Sequence, residues 1–215
     1  MALKEHPIII AGCGPGSPAY LTPGARTAIR KAEVLIGAKR LLDLFPRHPA
    51  RKISLTADIE KLMAAMDRIR KNRKIVVLVT GDPGLCSLAR PIVRRFGHKN
   101  CEIIPGVSSV QFAFARIGVD WLGVRIVDAH GADPEVTPES LQEEDRIAIL
   151  AGRKEAVPWI AKLSERLGRN RRIVVCEDLS LKTENVREVE PSELAALKIS
   201  PQSIVLIIKE ALFHP

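Results

Sequence analysis

Three glycine-bearing segments hold the residues best suited to chemistry: GCGPGSP (residues 12–18), TGDPGL (80–85) and PGVSS (105–109). In the second, Asp82 offers a carboxylate, Gly81 and Gly84 let backbone approach a ligand closely, and Pro83 stiffens the turn. The competing reading of TGDPGL is a plain strand-to-helix turn in which Asp82 caps the helix after it. The first segment resembles a dinucleotide fingerprint only superficially. The pattern G-x-G-x-x-G needs its third glycine to open a helix packed on the strand, and Pro15, Pro18 and Pro23 prevent that. A nicotinamide-dependent oxidoreductase also requires an acidic residue at the end of the second strand, where this chain reads Val34, Leu35, Ile36, Gly37. Two further sites are candidates for proton transfer. His130, in DAHG, can take or give a proton at neutral pH, or it is a hydrogen-bonded structural residue of a turn. Glu177 and Asp178 follow the apolar run VVC, where they can move a proton, hold a ribose or cap the next segment.

The elements that must position these groups alternate along the first half. Residues 75–79, IVVLV, read as a strand buried on both faces that runs into TGDPGL. Residues 7–12 and 33–37 are further strands, and so is 101–104, which leads into PGVSS. Helices are expected from residue 22 or 23 to 32, over 38–45, 58–71 and 85–96, and from PGVSS to Arg116, the last two stopped at Gly97 and Gly118. Strand and helix in alternation imply a mostly parallel sheet. The crevice outside the carboxyl ends of such strands is where small ligands sit. Beyond residue 119, strands are expected at 124–128, 146–150, 172–176, 186–189 and 203–209. The fourth and fifth of these lack a long helix between them and are candidates for antiparallel pairing. One long helix is expected over 154–167, with Pro158 tolerable only in its first turn. The reading is α/β, with two domains of similar size, residues 1–118 and 119–215.

Composition narrows the function classes. A chain of 215 residues with 46% hydrophobic content supplies ample core. Its apolar runs are strand-length, far short of a membrane span. The start, MALKEHPIII, has no signal-peptide layout, so a cytoplasmic protein is expected. Cys13, Cys86, Cys101 and Cys176 lie far apart without a C-x-x-C pair, so neither a zinc site nor a disulfide framework is indicated. The net charge of +8 comes from 33 Lys and Arg against 25 Asp and Glu, and it favours an acidic partner. Clusters at 68–74, 94–99 and 166–172 sit at expected helix C-termini, where cations complement the helix dipole. That accounts for part of the excess. With aromatics at only 4%, a base-stacking surface for nucleic acid is poorly supported.

Taken together, GCGPGSPAYLT (12–22), TGDPGL (80–85) and IIPGVSSVQFAFARIG (103–118) resemble the tetrapyrrole methylases over essentially the whole chain. Within that family, IGAKRLLDLFP (36–46), VRIVDAHG (124–131) and CEDLS (176–180) look most like the members that methylate C5 of a cobalt-containing corrin precursor. The resemblance implies the tetrapyrrole methylase fold: two αβα domains, the first sheet mostly parallel and the second mixed. It also implies a homodimer, S-adenosylmethionine in a cleft between the domains, and a tetrapyrrole substrate without nucleic-acid or membrane partner. Carried onto matching positions, it points to Gly81, Asp82, Leu85, Ser108, Ser109, Leu150, Ala151 and Cys176 at the cofactor. The same carry-over sets Glu177 beside Cys176 at the cofactor and Pro15 on the tetrapyrrole side, while the residues themselves make His130 and Glu177 the candidates for proton transfer near the ring. The ring's many carboxylates call for cations, for which Arg26, Arg40, Arg116, Arg125 and Arg153 are candidates. The chain has no room for the second methyltransferase domain fused on in some relatives, so the C15 methylation and decarboxylation of that domain are not expected.

Methyl transfer to an electron-rich carbon asks little of a protein beyond positioning and desolvation, so the lack of a catalytic triad is no obstacle. The alternatives are another precorrin methyltransferase, a diphthine synthase acting on an elongation factor, and, in a different class, a basic nucleic-acid-binding module.

Overall fold

The computed structural model describes residues 6–56 and 58–213, so residues 1–5, part of the stretch read as lacking a signal peptide, lie outside it. Among the described residues no helix is long and apolar enough to cross a membrane. The chain divides into two compact units, Met1–Ser108 and Ser109–Pro215.

The first unit holds five strands: β1 (Ile8–Gly12), β2 (Val34–Gly37), β3 (Arg51–Ser54), β4 (Ile75–Val79) and β5 (Cys101–Ile104). They form one sheet in the order β3-β2-β4-β1-β5, and every pairing is parallel. Its helices are α1 (Pro23–Arg30), α2 (Lys39–Leu42), α3 (Ile59–Ile69) and α4 (Ala89–Phe96). Side chains alternate across each strand, and the helices divide accordingly. Ile10, Ile36 and Val77 pack with Leu62 and Met66 of α3 and Ile92 of α4. On the other face, Ala11, Leu35 and Leu78 pack with Ala25 and Ile29 of α1 and Leu41 of α2. Local signals set the helix starts. The Thr22 hydroxyl accepts the Ala25 N–H at 3.2 Å with Pro23 just inside the helix, and Asp58 Oδ1 accepts the Lys61 N–H at 2.9 Å.

The second unit opens on α5 (Ser109–Ile117), which supplies Val110, Phe112, Ala113 and Phe114 to the interior. This helix packs on the last strand of the unit, so the structure groups it with the second half, whereas the sequence reading drew the boundary after it. There follow β6 (Arg125–Asp128), α6 (Pro138–Leu141), β7 (Arg146–Leu150), α7 (Ala156–Leu167), β8 (Arg171–Glu177), β9 (Asn185–Val189), α8 (Pro191–Leu194) and β10 (Ser203–Lys209). The sheet order is β6-β7-β10-β8-β9. β6 and β7 are parallel, β10 is antiparallel to both β7 and β8, and β8 is antiparallel to β9. α6, α7 and α8 bury Leu141, Ile160 and Leu194 against one face of this sheet. Pro158 is the third residue of α7, in the first turn, where a missing N–H costs nothing.

The mixed αβα architecture agrees with the sequence, and three local features differ. β3 was not foreseen, because RKIS at the sheet edge is largely exposed and carries no apolar pattern. α4 begins at Ala89 rather than residue 85: Cys86 takes a left-handed conformation at φ 42°, and the Ser87 hydroxyl accepts the Ala89 N–H at 3.1 Å, which moves the helix start past the loop. β9 and β10 are the antiparallel strands, but each pairs with β8 rather than with the other.

At the carboxyl edge of the first sheet the backbones of three strand ends touch. A Cβ on Gly106 would lie 2.4 Å from the Gly81 carbonyl oxygen, and one on Gly12 would lie 2.6 Å from the Gly106 nitrogen. Gly106→Ala is therefore expected to destabilise the protein by about 1–3 kcal/mol, the usual range for overpacking. Gly131→Ala, where an added Cβ meets nothing within 4 Å, is expected to be neutral. Denaturant midpoints of the two variants check this.

Candidate active site

Strand connections in the first unit mark where a ligand belongs. β1 and β4 are neighbours, but the chain leaves β1 for α1 on one face and leaves β4 for α4 on the other. Such a divergence is the switch point at which open α/β sheets bind small molecules, outside the carboxyl ends of the strands. Here the two loops stay paired past the sheet, with the Gly81 N–H donating to the Gly14 carbonyl at 2.8 Å. Gly81 sits at φ +63°, a conformation open to glycine at no cost.

Asp82 fastens this edge together. Its Oδ1 accepts the Gly84 N–H at 2.7 Å within its own turn, and its Oδ2 accepts the Gly106 N–H at 3.0 Å from the loop after β5. Asp82 thus does not cap α4. It ties TGDPGL to PGVSS, a use of the carboxylate that the sequence did not single out. Of its roughly four acceptor positions two are taken, so two stay available to a ligand. Leu85 is half-buried beside it, Ser108 is buried, and Ser109 opens α5. Pro15 is buried in the first loop.

In the second unit β6, β7 and β8 run the same way, and their carboxyl ends bring Ala129, Ala151 and Asp178 to one edge. There the Ala129 N–H donates to the Leu150 carbonyl at 3.1 Å and the Ala151 N–H to that of Ser203 at 3.0 Å. His130 stands at this edge. Asp128 Oδ1 lies 3.0 Å from the His130 backbone nitrogen, which donates to it, and 3.1 Å from His130 Nδ1. With the carboxylate ionised, Nδ1 must carry the proton, leaving Nε2 as the basic atom. The imidazole lies against Gly152, where a Cβ would fall 2.6 Å from His130 Cδ2, and its side chain remains 51% exposed. The spacing D-x-H was the available signal for Asp128, since an Asp side chain commonly turns back to the backbone two residues on.

Glu177 is engaged differently from the catalytic use the sequence suggested. It is 8% exposed. Its Oε2 accepts from Arg187 Nη2 at 2.9 Å and Asn185 Nδ2 at 3.2 Å, and its Oε1 accepts the Ser200 N–H at 2.9 Å. Three donors on a buried carboxylate hold β8, β9 and the segment before β10 in register. Asp178 continues the network, accepting from the Ser200 hydroxyl at 2.5 Å and the Thr183 hydroxyl at 3.0 Å.

The candidate cations separate along the same lines. Arg26 spends its guanidinium on the Leu21 and Pro18 carbonyls. Arg116 faces Glu184 with both arms, Nε to Oε1 at 2.5 Å and Nη2 to Oε2 at 3.2 Å, and that pairing holds the Glu184 carboxyl below its usual range. Arg125, a candidate for the ring carboxylates, begins β6 and so lies at the opposite sheet edge from His130. Arg40 reaches the Thr80 hydroxyl after β4, and Arg153 reaches the Ala129 carbonyl and Asp133, so both lie at the carboxyl edges. Cys176 is fully buried in β8, and burial, with Glu184 and Glu177 nearby, pushes its thiol up to about 12. Any part it takes in binding is through its backbone. Burial likewise raises Cys13 to about 12, against the pull of the Arg40 charge.

Residues 7–195 match the model of the Tetrapyrrole (Corrin/Porphyrin) Methylases, and the chain belongs to that family. It is 30% identical over 190 residues to the cobalt-precorrin-7 C(5)-methyltransferase of Salmonella typhimurium, covering 88% of this chain and 93% of that one. Among solved structures, the precorrin-6Y methylase of cobalamin biosynthesis from Archaeoglobus fulgidus is 30% identical, with a TM-score of 0.73 over 96% of this chain and 99% of that one. The uroporphyrin-III C-methyltransferase of Thermus thermophilus, solved with S-adenosylhomocysteine, shares the fold with a TM-score of 0.79 at 21% identity over 95% of this chain and 98% of that one.

Three outcomes follow from this geometry. Asp82→Ala removes both bridges and is expected to lower the melting temperature, with Asp82→Asn falling in between; thermal melts read both. In the native protein, exposed Cys86 should react first with Ellman's reagent at pH 8, half-buried Cys101 more slowly, and Cys13 and Cys176 only after unfolding. Because the unfolded chain releases the last two protons near pH 9 and the folded chain holds them to about 12, stability should fall as pH rises through that window.

Proposed function

We propose that this protein transfers a methyl group from S-adenosylmethionine to C5 of cobalt-precorrin-7 in cobalamin synthesis. The observation that carries the reading is the carboxyl edge of β1, β4 and β5, where Asp82 and three glycines hold the TGDPGL loop against the loop after β5. It is supported by a relative of nearly equal length that bears this activity in its name.

The residues present suit the cofactor. Gly81, Ala129 and Ala151 bring no bulky side chain of their own to these edges, and Asp82 retains acceptor positions for a cationic amine or sulfonium. We assign Gly81, Asp82, Leu85, Ser108, Ser109 and the backbone of Leu150, Ala151 and Cys176 to holding it. When bound, S-adenosylmethionine supplies an electrophilic methyl on sulfur. Exchange of a ring hydrogen for that methyl releases one proton overall. His130 is assigned to accept it at Nε2, with Asp128 as the positioning residue that keeps the proton on Nδ1 and the ring in place. Glu177 is assigned to structure through Arg187 and Ser200. Pro15 is assigned to the tetrapyrrole side, and Arg40 is the better-placed partner for the ring carboxylates, ahead of Arg26, Arg116 and Arg153, whose guanidiniums already meet carbonyls or a carboxylate. The same reading takes the protein to act as a cytoplasmic homodimer without nucleic acid.

Mass spectrometry of cobalt-precorrin-7 incubated with protein and S-adenosylmethionine should show one added methyl, located at C5; no transfer, or transfer elsewhere, would overturn the assignment. His130→Ala should lower kcat about 100-fold or more, within the range general bases contribute, and leave S-adenosylhomocysteine affinity unchanged. Asp128→Asn should lower it less and alter its pH profile.

A further inference from the structure

The opposite, amino edge of the first sheet carries a second constellation that methyl transfer does not use. A cavity of about 200 Å³ opens there, lined by Val34, Arg51, Arg68, Ile69, Asn72 and Arg73. Val34 and Arg51 are the first residues of β2 and β3, while Arg68 lies in the last turn of α3 and Asn72 and Arg73 just beyond it. The three guanidiniums make no side-chain hydrogen bond or ion pair among the described residues. In the second unit, by contrast, Arg116, Arg146, Arg153, Arg172 and Arg187 each meet a carboxylate. Of the acidic groups nearest in sequence, Glu33 stands at this same edge with its Oε2 accepting the Lys74 N–H at 2.8 Å, and Asp67 pairs with Arg70 at 3.0 Å; neither forms an ion pair with the three guanidiniums.

The helix dipole accounts for Arg68 and Arg73 at the C-terminus of α3. It gives no reason for Arg51 to join them from a strand. Three like charges around one hollow repel each other, and that repulsion is relieved when an anion enters. Guanidinium groups present paired N–H donors that match oxyanion geometry, and the Asn72 amide adds two more. The volume lies below the 300–1,000 Å³ typical of sites for larger organic ligands, so a compact anion fits best. From this geometry we propose that the cavity binds a small multivalent oxyanion of the phosphate or diphosphate class, as a free small molecule. The proposal stands apart from the methyl-transfer reading, because none of its residues belongs to the loops at the carboxyl edge.

The test is calorimetric titration of the full chain with inorganic diphosphate and, separately, inorganic phosphate at fixed ionic strength. Saturable binding of one anion per chain is expected, weakened tenfold or more by Arg51→Gln and likewise by Arg68→Gln or Arg73→Gln. Arg94→Gln, on another helix, should leave it unchanged, and methyl transfer without the anion should be the same in all four variants. Binding that fails to saturate, or that Arg94→Gln weakens as much as Arg51→Gln, means nonspecific attraction to a basic surface and overturns the proposal. Tighter binding of a DNA or RNA oligonucleotide than of diphosphate, lost in the same three variants, overturns it in favour of a nucleic-acid surface.

Discussion

The first unit depends on a close approach of bare backbone. Gly12, Gly81 and Gly106 end or follow three neighbouring parallel strands, and no side chain larger than hydrogen fits where they meet. That contact would splay without a tie, because each loop leaves toward a different helix. The tie is Asp82, whose two oxygens take one N–H from its own turn and one from the loop after β5. Hydrogen bonds to a charged acceptor are worth about 1.5–3 kcal/mol each, enough to set the relative positions of two loops. The residue that looked most like a ligand contact is therefore also the reason those loops have a fixed shape. A rigid, glycine-lined edge suits chemistry in which positioning does most of the work.

The second unit solves its edge differently. Where the first uses glycine and one carboxylate, the second uses a buried charged network centred on Glu177. Arg187, Asn185 and Ser200 all donate to it, and Asp178 extends the chain to Thr183. A buried charge is tolerated only when its partners are supplied together. The network thus couples β8, β9 and the approach to β10, leaving the neighbouring His130 and Asp128 comparatively open to solvent.

Much of the architecture was legible because the strongest signals in the sequence are physical necessities. IVVLV must be buried on both faces, prolines after Gly12 must keep that loop from more than the single 3₁₀ turn at Pro18–Tyr20 before α1, and alternating strand and helix in the first half must give parallel pairing. Less legible was whatever rests on contact across distance. β3 has no apolar pattern because it lies at an edge. The assignment of α5 to the second unit depends on its packing against β10, which no local pattern encodes. Arg116 and Glu177 have the residue types expected of a site, yet Glu184 in one case and Arg187 in the other, each remote in sequence from what it binds, redirect them. His130 and Asp128 were separable from this only because their bond is local, two residues apart.

Strand β10 follows every other strand of the second unit in the sequence but lies at the middle of its sheet, hydrogen-bonded on one side to β7 and on the other to β8. During synthesis β6 and β7 can associate as soon as they leave the ribosome, and so can β8 and β9, but the two pairs share no strand-to-strand hydrogen bonds until residues 203–209 emerge. Completion of this sheet is consequently late, with two exposed strand edges waiting in the nascent chain. A ribosome that stalls shortly before that point would display two unmatched hairpin-sized fragments, an attractive substrate for chaperones.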